Sequence, residues 1–319
     1  MNWPVFAFIL ALAISFMATP WVRRLAIRLN VMAQPGGRRV HTQPMPLWGG
    51  IAIFGAFTLT CLLIMKLGGA YSSFRVPIVG VVVSGALILT IGLLDDMREF
   101  GAWIQAILIL CATVVLITFG VRIQFLSNPL GQTAMIALGG FTSWLVTLLW
   151  VFAVTKTVDF MDGLDGLAAG IGAIAAGILA IMAHYAVQPH VALMAAGLSG
   201  ACVGFLRFNF NPAKIFMGTG GSQFVGFALA ALSIIGAFKV AVAMAIALPI
   251  LVFGVPILDG VFVVLRRFAG RRPIHVGDRT HLHHRLLERG LTQKQAVLVI
   301  YIICLMFGGT ALALFWLSR

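Results

Sequence analysis

"FTSWLVTLLWVFAVTKTVDFMDGLDGLAAGIGAIAAGILAIMAHY", residues 141–185, decides the fold. Two apolar runs, each roughly the 20 residues that cross a bilayer, flank a turn. Between them lie Lys156, Asp159, Asp162 and Asp165, all within ten residues. Carboxylates beside hydrocarbon are costly and mark function by default. The stretch therefore demands two things at once: a pair of membrane spans, and a reason for the acids that join them.

The rest of the chain repeats the pattern. Of 319 residues 61% are hydrophobic and only 10% charged, with a mean hydropathy of +1.05; a soluble domain carries about a quarter charged residues. The expected fold is all-α: a polytopic integral membrane protein forming a single domain over 1–319, with ten transmembrane helices. Apolar runs and breakers put them near 3–22, 48–67, 77–94, 102–119, 139–158, 164–186, 191–206, 222–238, 240–265 and 296–317. In the first of these runs the arginines follow the apolar stretch, the reverse of a signal peptide, so it is read as a span. Cys61, Cys111, Cys202 and Cys304 lie inside apolar runs without C-x-x-C spacing and read as small core residues.

Charge sets the orientation. Seventeen of the 22 Lys and Arg fall in alternate connections, approximately 23–47, 95–101, 156–165, 207–221 and 266–295. The positive-inside rule makes these loops cytoplasmic and puts both termini outside. All nine acidic residues lie on that same side, which the rule does not require. A polar site at the cytoplasmic face of the membrane follows. The net charge of +13 suits attraction to anionic lipid, and no nucleic-acid partner is expected.

Four constellations carry candidate chemistry. "GLLDDMREF" (92–100) ends an uncharged span with Asp95 and Asp96, a pair that can bind Mg²⁺ or position a phosphate-bearing nucleophile, or else be a solvated helix end. "DFMDGLDG" spaces Asp159, Asp162 and Asp165 three apart; Asp165 suits an N-cap, but three caps in a row are not credible. "RFNFNPAKIFMGTGGSQFVGF" (207–227) leads through Asn209 to Gly218, Gly220 and Gly221, a cluster able to offer backbone N–H groups to phosphate or simply to turn the chain. "GDRTHLHHRLLERG" (277–290) gathers Asp278, Arg279, His281, His283 and His284. Neighbouring helical positions cannot all converge on one zinc, so anion or nucleotide binding is preferred there. Arg38 and His41 in "QPGGRRVHTQPMPLWGG" (34–50) form a further basic loop.

Taken in order, "GRRVHTQPMPLWGG", "GLLDDMREF", "DFMDGLDGLAAG", the "FNFNPAKIFMG" and "GGS" pieces, "PILDGVFVVLRR" and "DRTHLHHRLLERG" resemble the polyprenyl-phosphate N-acetylhexosamine-1-phosphate transferase family. The resemblance covers nearly the whole chain. It implies transfer of a sugar-1-phosphate, most simply GlcNAc-1-phosphate, from a UDP-sugar to a polyprenyl phosphate such as undecaprenyl phosphate, with release of UMP. The "HLHHRLL" form is more like the GlcNAc branch, which starts surface polysaccharides or teichoic acids, than the phospho-MurNAc-pentapeptide branch. Asp95 and Asp96 are carried over as catalytic. Asp162, Asn209, Gly218, Gly220, Asp278, Arg279, His281, His283, His284, Arg38 and His41 are carried over as substrate-binding. Mg²⁺, with Mn²⁺ as an option, is the implied cofactor; a bacterial-type plasma membrane is the implied location, with a homodimer as an option.

The sequence departs from the family at its metal site. Where the family has T-N-A-x-N, this chain reads "TKTVD", with Lys156 and Asp159 at the two Asn positions; where it has F-M-G-D-x-G-S, this chain reads "FMGTGGS", with Thr219 for the aspartate. One reading is a compensating exchange: the carboxylate has moved across the metal, Asp159 and Thr219 are the ligands, and Lys156 contacts phosphate or pairs with Asp159. The other is a catalytically impaired paralogue that binds or regulates. A transporter with proton-relaying carboxylates is a third class, disfavoured because transporter sites usually lie near the midplane.

Overall fold

The computed structural model describes residues 2–34, 43–67, 75–127, 135–236, 253–269 and 282–317. These are mostly helical. In chain order the helices are α1 (Trp3–Arg28), α2 (Gly50–Leu67), α3 (Arg75–Arg98), α4 (Ala102–Thr118), α5 (Gly140–Phe160), α6 (Leu167–Tyr185), α7 (Pro189–Asn209), α8 (Gly218–Ile235), α9 (Gly254–Ala269), α10 (Leu282–Glu288) and α11 (Gln293–Leu317). Seven, namely α1, α3, α5, α6, α7, α8 and α11, are long and apolar enough to cross a membrane, and α2 and α4 are shorter apolar helices. The chain is thus a multi-pass membrane protein. Half of the ninth expected span, near 240–265, lies outside the described residues; its second half falls in α9 and the residue before it.

Two features were not expected of an all-α chain. The strands β1 (Met32–Ala33) and β2 (Met45–Pro46) pair antiparallel, as do β3 (Phe125–Ser127) and β4 (Met135–Ala137). Both ribbons sit in connections, where unpaired backbone groups need partners.

The core is organised around α8. Nearly all of its residues, Gly218 through Ile234, are buried, because glycine, alanine and serine let neighbouring backbones approach closely. Helices α3 and α5 pack on it, and the α1–α7–α6 layer closes the other flank. The outermost helices keep large apolar side chains exposed, among them Met17 and Trp21 on α1 and Leu305 and Met306 on α11. In water that surface would be unfavourable; in lipid it is the expected periphery.

Several helices overrun the expected span ends. α3 continues to Arg98, so Asp95 and Asp96 ride on its last turn; α5 continues to Phe160, so Lys156 and Asp159 are helical; α7 ends on Asn209; α8 begins at Gly218. Only Asp162 and Asp165 occupy the turn itself. The reason is common to all four: hydropathy locates the apolar stretch, but a helix continues past it while its backbone hydrogen bonds can still be made.

Candidate active site

Asp96 and Asp95 reach the site from the end of α3, Gln105 from the start of α4, Lys156 and Asp159 from the end of α5, and Thr219, Ser222 and Gln223 from the start of α8. One backbone contact sets this gathering. A Cβ on Gly92 would stand 2.2 Å from Gly220 Cα and 2.3 Å from its nitrogen, so α3 and α8 touch main chain to main chain.

Just beyond that contact, the Thr219 N–H donates to Asp96 Oδ1 at 2.8 Å. A carboxylate thus sits on the N-terminus of α8, where the helix dipole favours negative charge. Gly218 adopts φ +77°, and a Cβ there would run into Asp96 Oδ2. At this helix start Gly218 lies against Asp96, and Gly220 packs against the α3 backbone. Asp96 Oδ2 is buried and has no hydrogen-bond partner among the described residues.

The start of α8 is held from behind. Gly49 N and Gly50 N donate to Phe216 O and Met217 O, and Phe216 N donates to Pro46 O. The "PMPLWGG" stretch is thereby a template for the 214–218 backbone. Asn209 has a structural job too. Only 2% exposed, it accepts from Gly166 N at 3.1 Å and donates to Ile215 O at 3.0 Å, so its amide clamps two loops.

Asp159 accepts from three side chains. Its Oδ2 pairs with Lys156 Nζ at 2.6 Å and accepts from Gln223 Nε2 at 3.3 Å; its Oδ1 accepts from Ser222 Oγ at 2.7 Å. Ser222 Oγ also lies 3.3 Å from Thr219 O, the backbone carbonyl three residues back on the same helix. Lys156 donates as well to Gln105 Oε1 at 2.9 Å and lies 5.2 Å over the Phe160 ring. Its ammonium is engaged inside the protein, the pairing alternative to a phosphate contact.

Asp95 is buried, 6% exposed. Its Oδ1 accepts from Phe100 N at 2.8 Å and Gln105 Nε2 at 2.9 Å; Oδ2 accepts from no described residue. Asp162 in the turn is pushed up to about 8 by burial and then by the charges of Asp159, Asp96 and Asp165. Asp165 does not cap α6. The position before that helix is Gly166 at φ +83° with no side-chain cap, and Asp165 Oδ2 instead accepts from Asn211 Nδ2 and Ala213 N.

His283, on α10, is buried against this turn: a Cβ on Gly163 would collide with its Nε2. The His284 ring lies 4.3 Å from it, centroid to centroid. Asp259 Oδ1 accepts from Leu282 N at 2.7 Å and anchors the start of α10. Arg38, His41, Asp278, Arg279 and His281 lie outside the described residues. Gln105, Ser222 and Gln223 went unnoticed in the sequence, since uncharged polar residues at helix ends carry no pattern of their own.

Among the described residues no three His, Cys, Asp or Glu side chains stand close enough to form a ready metal cage. The donors are nonetheless hard oxygens, which suit Mg²⁺, and the partnerless Asp96 Oδ2 is the group a cation would satisfy.

An apolar bundle with carboxylates and a lysine drawn to one end is the arrangement of a membrane protein that handles charge. The glycosyl transferase family 4 profile matches residues 78–237. The chain is 35% identical to the "probable undecaprenyl-phosphate N-acetylglucosaminyl 1-phosphate transferase" of Bacillus subtilis, over 98% of this chain and 87% of the relative. It is 37% identical to the decaprenyl-phosphate N-acetylglucosaminephosphotransferase of Mycolicibacterium smegmatis, over 92% and 77%. Against the phospho-N-acetylmuramoyl-pentapeptide-transferase of Oceanobacillus iheyensis identity is 29%, over 95% and 94%. The chain belongs to glycosyl transferase family 4 and is a glycosyl-1-phosphate transferase.

Proposed function

We propose that this enzyme transfers GlcNAc-1-phosphate from UDP-GlcNAc to undecaprenyl phosphate at the cytoplasmic face of a bacterial-type plasma membrane, releasing UMP. The reaction would open the membrane stage of surface polysaccharide or teichoic-acid synthesis. The observation that carries the reading is the convergence of Asp95 and Asp96 from α3 and Asp159 from α5 on one end of the bundle, where α4 and α8 supply their partners. Identity of 35% and 37% to the Bacillus subtilis and Mycolicibacterium smegmatis N-acetylglucosamine enzymes, against 29% to the muramoyl-pentapeptide enzyme, supports the choice of sugar.

The chemistry asks for such a site. An oxygen of the lipid phosphate attacks the phosphorus that bears the sugar; the bridging P–O bond breaks and UMP departs with the electron pair. Two anions must meet, so catalysis is positioning and charge neutralisation. Asp95, with one oxygen fixed and the other open, orients the acceptor phosphate. Asp96 Oδ2, Asp159 and the Thr219 hydroxyl would hold Mg²⁺, or Mn²⁺, whose contribution when bound is to neutralise the pyrophosphate oxygens. His283 and His284 stand beside the Asp162 turn, where a nucleotide would be met.

The Lys156–Asp159 pair favours one second reading, an impaired paralogue whose lysine has taken the place of a metal. A single assay separates them. Purified protein is given undecaprenyl phosphate, radiolabelled UDP-GlcNAc and Mg²⁺, with and without chelator. Labelled lipid plus UMP, lost with chelator, is expected. Folded protein that yields no product with any UDP-HexNAc or with Mn²⁺ would overturn the transferase.

A further inference from the structure

Gln105 belongs to none of the motifs. It stands on the first turn of α4, on a helix whose other side chains are apolar apart from two threonines. Its amide is bonded at both ends: Nε2 donates to Asp95 Oδ1 at 2.9 Å, and Oε1 accepts from Lys156 Nζ at 2.9 Å. Only one orientation of an amide gives N–H to a carboxylate and C=O to an ammonium. Flipping it would set like against like at both ends.

The bonds continue. Lys156 reaches Asp159 Oδ2, and Asp159 Oδ1 accepts from Ser222. One line, Asp95–Gln105–Lys156–Asp159–Ser222, therefore crosses α3, α4, α5 and α8 at the bundle end. Lysine is a mobile point charge on a four-carbon stem, and this site offers it more than one carboxylate. The amide decides between them.

We propose that Gln105 is a positioning residue of the transfer reaction: it keeps the Lys156 ammonium on Asp159 and off Asp95, and by filling Asp95 Oδ1 it leaves Oδ2 as the oxygen that meets the acceptor phosphate. The inference rests on the transferase reading above. Without the amide, Lys156 is free to swing to Asp95 and neutralise the carboxylate that orients the nucleophile. Gln105 touches no reacting atom; it acts through Asp95 and Lys156.

Two variants test this in the lipid-product assay on the full-length protein. Gln105→Met keeps the length and removes the amide. Its kcat per folded molecule should fall about 10- to 100-fold, the size expected of a misplaced catalytic group, with KM for the UDP-sugar within about twofold of wild type; loss of two hydrogen bonds to charged groups lowers the melting temperature as well. Gln105→Glu keeps an acceptor for Lys156 but replaces the N–H given to Asp95 by an oxygen that can only accept, so its kcat should fall by a similar factor with KM for the UDP-sugar again within about twofold of wild type. Both variants at wild-type kcat would overturn the proposal. So would losses that merely track the fraction of folded protein. If wild type itself makes no labelled lipid, both the transferase reading and this proposal fall; if wild type is active and the variants match it, this proposal falls alone.

Discussion

Gly92→Ala probes the contact on which the site is built. The added methyl would lie 2.2 Å from Gly220 Cα, whereas carbon atoms rest at about 3.5–4.0 Å. α3 and α8 must then separate by roughly 1.3 Å or more, since the obstacle is backbone and cannot rotate away. Asp96 lies one turn further along α3, 2.8 Å from Thr219 N, so a shift of that size takes the pair beyond hydrogen-bonding distance. Overpacking costs about 1–3 kcal/mol, and a lost charge-assisted hydrogen bond about 1.5–3 kcal/mol. The melting temperature in detergent should fall by several degrees. A displacement of about 1 Å at a catalytic group is worth about a hundredfold in rate, so labelled-lipid formation per folded molecule should fall by about that factor. Gly55→Ala is the control: a Cβ there meets nothing within 4 Å, and both quantities should stay at wild type. Gly92→Ala with full transfer rate and an unchanged melting temperature would refute the α3–α8 contact as the frame of the site.

Other outcomes follow from single residues. Asp95→Asn should abolish transfer while the protein remains folded, as judged by an unchanged elution profile in detergent; full activity would defeat the role given to that carboxylate. Asn209→Ala strands Gly166 N and Ile215 O, which should cost about 2–5 kcal/mol of stability but leave KM for the UDP-sugar unmoved, whereas a substrate ligand would raise it. Asp162 titrates at about 8 in the fold and near 3.9 when unfolded. Between those values the folded protein holds a proton that the unfolded chain has released. Its contribution to stability is therefore complete below about pH 4 and lost as pH rises through 8. In chelator, Asp162→Asn should flatten the fall in melting temperature from pH 5 to pH 9; an unaltered slope would remove Asp162 as its cause.

Hydropathy made the membrane architecture legible, because hydrocarbon admits only helices or closed barrels and each apolar run announces itself. The acids were legible for the complementary reason: a carboxylate at a span end has no solvation to justify it unless it has work to do. Partners were not legible. Asp165 and Asn209 look alike as polar residues at helix ends, yet neither does what its position suggests, since the groups that claim them, Asn211, Ala213, Gly166 and Ile215, sit across the fold. Gln105 was invisible because its value lies wholly in what stands on either side of its amide.

The exchange at positions 159 and 219 gains weight from geometry. A carboxylate lost from α8 could be replaced only from a residue that faces the same space. Asp159 meets the start of α8: its Oδ1 accepts from Ser222 Oγ at 2.7 Å and its Oδ2 from Gln223 Nε2 at 3.3 Å. The extra charge also explains the lysine. With Asp95, Asp96 and Asp159 at one bundle end, an added carboxylate raises the repulsion among them, and Lys156, three residues before Asp159 on the same helix, offsets it. The pair is then one substitution rather than two. Its signature would be coupling: Lys156→Asn and Asp159→Asn, each harmful alone, should together cost less than the sum of their separate effects on melting temperature and transfer rate. Strict additivity in that double-mutant cycle would break the argument.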